Sequence, residues 1–402
     1  MREDPSTRPT RELSAVALAA VGLAVAAALA PALFVPCDFV AFWSSAKLFT
    51  VGEDPYDPAL LLALENDAGF QTDRAVVIFN PPWAVVPIAA LAGLPVRIAF
   101  AVWLGLQFGL MLVAGGLLWR SSGGSAERTW LSAVLTVGFA PTYILLVGGQ
   151  LTGFALFGLA GFVAARSAGR PLLAGCLGAL TALKPHLFGL FALALLIDAV
   201  RSRDGRKSVL AGAVVLAAAS LLAVAVRPGV FDDYRASLTS PGTDTRKGLA
   251  DYPAPVLGVM LRDAMPGRPL AAQFVPFALA AVGLVACRRW LPPGDRWAGV
   301  APFLVAGSLV VAPYGAWWYD MVLLLPLVLL AAARLERVGN PRIAWAGVAA
   351  FATASLGLQF LYAGRDHLTP LFALAPPVVT LGCLGLIRAA RSPSPTPAPV
   401  GA

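Results

Sequence analysis

Long apolar runs recur along almost the whole chain and constrain this sequence more than any single residue does. The 402 residues are 58% hydrophobic and only 13% charged, whereas a soluble domain carries about a quarter charged residues. A helix needs about 20 apolar residues to cross a bilayer, and fewer where neighbouring helices shelter it. The sequence therefore predicts an all-α polytopic membrane protein with about twelve spans, near residues 13–35, 97–119, 130–147, 150–166, 171–183, 186–200, 208–226, 273–290, 298–312, 318–334, 342–361 and 368–388.

Two apolar stretches allow more than one interpretation. Residues 171–200 are interrupted by Lys184-Pro185-His186, so they form either two short spans or one span with a kink at the proline. Residues 81–93 begin with two prolines and contain a third. They are too short to cross the bilayer, and we expect a helix that lies at its interface.

The distribution of basic residues predicts the orientation. With the amino terminus inside, 19 of the 30 basic residues fall in the inner segments, as the positive-inside rule expects. Large outer loops then cover about 36–96 and 227–272. If 81–93 crossed the membrane, the cluster 201–207 would lie outside unless 171–200 were a single span. The predicted location is the inner (plasma) membrane, with both termini cytoplasmic and a functional site on the outer face.

The rest of the composition indicates how the chain is divided into domains and which partners it can have. We expect a disordered amino terminus over 1–12, one transmembrane domain over 13–390 and a disordered Pro-rich tail over 391–402. The net charge of +8 is scattered between apolar runs, so it indicates membrane topology and not nucleic-acid binding. The four cysteines show no metal or redox spacing, and neither a metal nor a cofactor is predicted.

Asp38 and Lys184 are the two charged residues whose positions in apolar surroundings most need an explanation. Asp38 follows the first apolar run beside Phe39, Phe42 and Trp43, and an ionisable group at the edge of a span marks a functional site by default. It is alternatively the N-cap of a helix that starts at Phe39. Lys184 interrupts an apolar stretch, so it either meets a partner or extends its ammonium group to the interface.

Other polar and aromatic residues are predicted to gather on the same outer side, and each has a plainer alternative. The segment from Asp54 to Asp57 is a turn or a site, and His186 is a packed, hydrogen-bonded histidine or a base. Trp317 belongs to an interfacial aromatic belt or stacks on a sugar, and Asp320 is a helix cap or a second acid. The full set of candidate site residues is Asp38, Trp43, Tyr56, Asp57, Asn80, Arg97, Gln150, Lys184, His186, Tyr314, Trp317 and Asp320.

The order of these motifs resembles a known family. The motifs are Asp38-Phe-Val-Ala-Phe-Trp43, Gly52-Glu-Asp-Pro-Tyr-Asp-Pro58, Asn80-Pro-Pro82, Gly149-Gln150, and Ala174-Gly175 followed by Lys184-Pro185. Together they resemble the bacterial polyprenol-phosphate-mannose-dependent α-mannosyltransferases of the GT-C superfamily. The resemblance runs from about Asp38 to Asp320 and rests on order and spacing, since no single motif is specific.

The resemblance implies a GT-C fold, with juxtamembrane helices in the first outer loop and Asp38 as the catalytic base. It also implies a polyprenyl-phosphate-linked sugar donor and a glycolipid or glycan acceptor. Related enzymes place a histidine in a late outer loop, but the segment from Pro313 to Asp320 contains none. Either Tyr314 or Asp320 replaces it, or the acceptor differs.

The expected reaction is an inverting transfer of a hexose, mannose by the resemblance. Lys184 first, and Arg97 second, would stabilise the departing phosphate. Gln150, Asn80 and Tyr56 would bind sugar hydroxyls, and Trp43 or Trp317 would stack on the ring. Two other hypotheses stay open from the sequence: a transporter or flippase for a lipid-linked or small solute, and a non-catalytic membrane subunit.

Overall fold

The fold is built almost entirely from helices. The computed structural model describes residues 37–71, 73–240, 256–267, 269–290, 296–338, 341–364 and 371–390. Within those ranges the chain forms 17 α-helices and no β-strand. They are α1 Asp38–Thr50, α2 Pro58–Asp67, α3 Pro82–Ala89, α4 Val96–Ser121, α5 Thr129–Gly138, α6 Ala140–Gly148, α7 Thr152–Ser167, α8 Pro171–Gly178, α9 Gly189–Arg201, α10 Arg203–Val226, α11 Val230–Thr239, α12 Leu257–Ala264, α13 Val275–Ala286, α14 Trp297–Val311, α15 Leu325–Leu335, α16 Pro341–Ala363 and α17 Ala375–Ala389.

Several of these helices are long and apolar enough to cross a membrane. They are α4, α10, the segment Trp318–Leu335 and the segment Ala344–Ala363. The pair α5 and α6 adds a fifth if it is one broken span, and further apolar helices are 10–17 residues long. This confirms the prediction of an all-α polytopic membrane protein. The predicted span 13–35 and the predicted disordered segments 1–12 and 391–402 lie outside the described residues.

The predicted single span 130–147 is two helices, α5 and α6, whose axes differ by 61°. The break falls at Phe139, where Pro141, at the second position of α6, has no N–H to continue the hydrogen bonds of α5. Ser355 of α16 makes hydrogen bonds to the backbone on both sides of the break. Its Oγ accepts from the Ala140 N–H at 2.8 Å and donates to the Gly138 carbonyl at 2.8 Å. Such repair is what a helix break within a bilayer requires.

The segment 171–201 turns back on itself at Lys184. Its two ends lie together against the first turns of α10. Ser208 Oγ donates to the Pro171 carbonyl at 2.9 Å, and a Cβ on Gly205 would lie 2.6 Å from the Asp198 backbone. Lys184 therefore stands at the far end, between the 3₁₀ turns Ala179–Leu183 and Pro185–Phe188. This is the arrangement of two short antiparallel segments, and the alternative of one kinked span is wrong.

Helices α1, α2 and α3 fill the first predicted outer loop. The eight residues of α3 span about 12 Å, far less than the ~30 Å of a hydrocarbon core, so this segment does not cross. That α3 lies at the membrane interface stays a prediction.

The core has two apolar clusters. One joins α7, α14 and α15 and includes Leu145 and Ala316. The other joins the loop helices to α4 and includes Phe39 and Leu151. Gln150 lies in the chain between members of both clusters, and the polar candidate residues gather at this junction.

Candidate active site

Four candidate residues from distant parts of the chain form one continuous polar chain. Gln150 Nε2 donates to Asp38 Oδ2 at 2.5 Å. Lys184 Nζ donates to Gln150 Oε1 at 3.0 Å and to Asp320 Oδ1 at 2.9 Å. The order is therefore carboxylate, amide, ammonium and carboxylate. The sequence predicted each of these residues separately, and the structure brings them together.

The first helix presents Asp38 because its start packs tightly on a glycine turn. Gly149 has φ +63°, and a Cβ there would lie 2.6 Å from the Cβ of Phe39. Trp103 Nε1 donates to the Gly149 carbonyl at 2.8 Å and holds the turn in place. The cap residue of α1 is Cys37, so Asp38 lies in the first helical turn and not at the cap position. Its half-buried carboxylate meets Gln150 instead.

Lys184 is buried and ion-paired, so it does not extend to the interface. Only 5% of the residue is exposed, and Asp320 is fully buried. The Asp320 carboxylate also accepts from Thr152 Oγ1 at 2.6 Å and from the Trp317 N–H at 2.9 Å. The lysine Nζ lies 4.6 Å from the ring centroid of Tyr319. Removing such ions from water is costly unless they are paired and hydrogen-bonded, and this pair meets both conditions.

A second group of contacts ties the first loop to the backbone just before Lys184. Asn80 Nδ2 donates to the Leu183 carbonyl at 2.8 Å, and Trp83 Nε1 donates to the Ala182 carbonyl at 2.8 Å. The Tyr56 hydroxyl donates to the Asn80 carbonyl at 2.9 Å. Asn80 and Tyr56 thus hold the turn that carries the lysine.

A third group is aromatic and lies beside the ion pair. The rings of His186 and Tyr314 meet edge-on, with centroids 6.2 Å apart. Tyr314 also packs edge-on against Phe274 at 5.3 Å. The late loop without a histidine therefore places Tyr314 against the histidine that follows Lys184 in the chain.

The family of the protein follows from its comparison with known sequences. The model of glycosyltransferase family 87 matches residues 79–313, which is more than half of the chain. The chain belongs to glycosyltransferase family 87. No curated protein and no solved structure shows a significant match. The matched region includes Asn80, Gln150 and Lys184, whereas Asp38 and Asp320 lie on either side of it. Membership favours glycosyl transfer over the transporter hypothesis.

The remaining four candidates of this glycosyltransferase belong neither to the polar chain nor to the two groups of contacts around it. Asp57 caps α2, where its Oδ1 accepts from two backbone N–H groups at 2.8 and 3.1 Å, and Trp43 Nε1 donates to the Leu94 carbonyl at 3.1 Å. Arg97 is exposed near the start of α4, and Trp317 is half-buried where its N–H meets Asp320. A sugar-binding or phosphate-binding role for these residues stays a prediction.

Thr152 and Glu65 were not predicted from the sequence. Thr152 supplies a hydroxyl to the buried carboxylate of Asp320. Glu65 of α2 is fully buried, and its Oε2 accepts from the Val76 N–H at 3.1 Å. Burial raises the pKa of Glu65 to about 7, and the negative charge of Asp38 adds to the rise. Neither residue had a signal in the sequence, because each lies in an ordinary helical pattern.

No group of three or more histidine, cysteine, aspartate or glutamate side chains is placed to hold a metal within the described part of the enzyme.

Proposed function

We propose that this family 87 glycosyltransferase moves a hexose, mannose by the resemblance of its motifs, from a polyprenyl-phosphate donor to a hydroxyl of a lipid or polysaccharide acceptor. The observation that carries the proposal is the joining of a half-buried carboxylate, Asp38, to a buried ammonium, Lys184, through the single amide of Gln150. A base and a cation at fixed separation are what this displacement needs.

In the proposed reaction, Asp38 takes the proton of the acceptor hydroxyl while that oxygen attacks the anomeric carbon. The bond from this carbon to the phosphate oxygen breaks, and the polyprenyl phosphate leaves with the electron pair. One displacement inverts the anomeric centre. A positioned general base contributes about 10²–10⁴-fold.

Lys184 would stabilise the negative charge that grows on the departing phosphate. Two of the three N–H groups of an ammonium donate here to Gln150 and Asp320, so a phosphate oxygen can meet the third. Preorganised cations in a dry site stabilise developing charge effectively. The fully buried Asp320 favours a role in holding the lysine over direct contact with a sugar. Arg97 is the second phosphate candidate.

The sugar would lie between the polar chain and the aromatic group. Tyr314 is 38% exposed beside His186, so both are suitable for contact with a hexose. Gln150, Asn80 and Tyr56 would bind hydroxyl groups, with Trp43 or Trp317 stacking on the ring. We place this site on the outer face, because Arg166, Arg201 and Arg296 lie at the opposite ends of helices that lead to it.

The test of the base is Asp38→Asn in proteoliposomes supplied with radiolabelled polyprenyl-phosphate-mannose and a total lipid extract. We expect the variant to insert normally and to lose transfer by about 100-fold or more. Asp67→Asn is the matched control, since Asp67 is an exposed acid of the same loop and its loss should leave transfer unchanged. Near-wild-type transfer by Asp38→Asn would refute the role of Asp38.

A further inference from the structure

Two hydrogen-bond donors share one oxygen of the buried carboxylate of Asp320. Thr152 Oγ1 donates to Oδ1 at 2.6 Å, and Lys184 Nζ donates to the same atom at 2.9 Å. The other oxygen, Oδ2, accepts from the Trp317 N–H at 2.9 Å. Asp320 is fully buried, so these three donors, and not bulk water, set how strongly its negative charge is held.

The start of α7 adds a further stabilisation of this carboxylate. Thr152 is the first residue of α7, which is 16 residues long. The amino-terminal end of a helix carries a partial positive charge that favours a nearby anion. Asp320 therefore keeps two donors and the end of a helix beside it even when it does not hold the ammonium of Lys184.

In the described part of the chain, the ammonium of Lys184 contacts one charged group, the carboxylate of Asp320. Its other two contacts there are Gln150 Oε1 at 3.0 Å and the ring of Tyr319, whose centroid is 4.6 Å away. Neither of these carries a full charge. Asp320 is therefore the group that most opposes a movement of the ammonium towards a phosphate.

We propose that Thr152 is a positioning residue that lets Lys184 turn from Asp320 to the donor phosphate as negative charge grows on that phosphate. A buried anion releases one donor more readily when other donors still hold its charge. No covalent bond changes in this step: the lysine keeps its proton, its contact with Asp320 lengthens, and a contact with a phosphate oxygen forms. The inference rests on the proposed function, because it needs a phosphate at Lys184.

The test measures the binding of farnesyl phosphate, a short polyprenyl phosphate, to the purified full-length protein by native mass spectrometry. Thr152→Val keeps the shape of the side chain and removes the hydroxyl, whereas Thr152→Ser keeps the hydroxyl. A hydrogen bond to a charged group is worth roughly 10–100-fold in an equilibrium, and part of that effect should appear when two anions share the ammonium. We expect Thr152→Val to bind farnesyl phosphate about five- to tenfold more weakly, and Thr152→Ser to bind it within about twofold of wild type.

Thr142→Val is the matched control variant. Thr142 is 2% exposed, and its Oγ1 donates to the Thr136 carbonyl at 2.6 Å. The control therefore removes a buried threonine hydroxyl with a hydrogen bond of the same length, but one that does not involve Asp320. Farnesol, which has the same chain and no phosphate, is the control ligand, and its affinity should be the same in the wild type and in each variant.

Equal affinity of Thr152→Val and wild type for farnesyl phosphate would overturn the inference, and so would an equal loss in Thr142→Val. A loss of farnesol binding as large as the loss of farnesyl phosphate binding would also overturn it, because the hydroxyl would then act on the shape of the site and not on the lysine. These readouts do not depend on sugar transfer. A wild-type protein that fails to transfer sugar would refute the proposed function, while the affinity for farnesyl phosphate would still decide the role of Thr152.

Discussion

Replacing Lys184 by methionine tests whether the buried ion pair is functional as well as structural. The change leaves the carboxylate of Asp320 fully buried without its counter-ion at 2.9 Å. Breaking a buried pair in this way costs about 3–5 kcal/mol. Because Thr152 and the Trp317 N–H still donate to the carboxylate, we expect the low end, about 3 kcal/mol. That is roughly a 100-fold change in the unfolding equilibrium.

The double variant Lys184→Met with Asp320→Asn removes both charges. An asparagine keeps the shape of the aspartate and still has an oxygen that accepts from Thr152. Neutral replacement of a buried pair is often tolerated, so the double variant should recover about 2 kcal/mol of the loss. Sugar transfer should stay lost in both variants, because neither has a cation for the departing phosphate.

The assay follows tryptophan fluorescence during denaturant titration in mixed micelles, together with transfer in proteoliposomes. Lys47→Met is the control: Lys47 is an exposed lysine whose Nζ lies 4.5 Å from the ring centroid of Trp43, and its loss should cost less than about 1 kcal/mol. A double variant as unstable as Lys184→Met would refute the pairing argument. A double variant that transfers sugar at the wild-type rate would refute the catalytic role of Lys184.

Three further predictions concern the surroundings of the polar chain. Gly149→Ala should cost about 1–3 kcal/mol in an unfolding titration and reduce transfer, because the new Cβ would lie 2.6 Å from Phe39 in a left-handed backbone. Gln150→Leu should slow transfer by tenfold or more in the proteoliposome assay, because leucine cannot hydrogen-bond to Asp38 or Lys184 and the link between the base and the cation is lost. Glu65→Gln should make stability less dependent on pH. The pKa of Glu65 rises from 4.5 to about 7 on folding, so the part of the stability that depends on Glu65 is full below pH 4.5 and is lost as the pH rises to about 7. In melting experiments across this range, the variant should gain up to roughly 3 kcal/mol over wild type.

The helices were largely predictable because apolar runs fix them locally. Residues 97–119 and 208–226 became α4 and α10 with only small changes at their ends. The break at Phe139 was missed because its stability depends on Ser355, which is more than 200 positions away in the chain. A proline in an apolar run does not by itself tell whether the helix bends or stops.

The residues of the site were predictable from the sequence, but their arrangement in space was not. Asp38, Gln150, Lys184 and Asp320 stood out because polar groups at the edges of spans are costly. Their connection is not a local property: Gln150 lies 112 positions from Asp38, and Asp320 lies 136 positions from Lys184. Thr152 was missed because a threonine in a membrane helix usually bonds to its own backbone, and only packing shows that it meets Asp320.

The central place of Gln150 follows from what an amide can do. Its two neighbours in the polar chain need opposite hydrogen-bonding partners, since Asp38 needs a donor and Lys184 needs an acceptor. An amide offers both from one rigid plane, and these partners fix which end carries the oxygen. A carboxylate there would repel Asp38, and an ammonium would repel Lys184. The residue that separates the two charges therefore also sets the distance between the proposed base and the proposed phosphate-binding cation, which is the distance that a donor sugar and its phosphate must match.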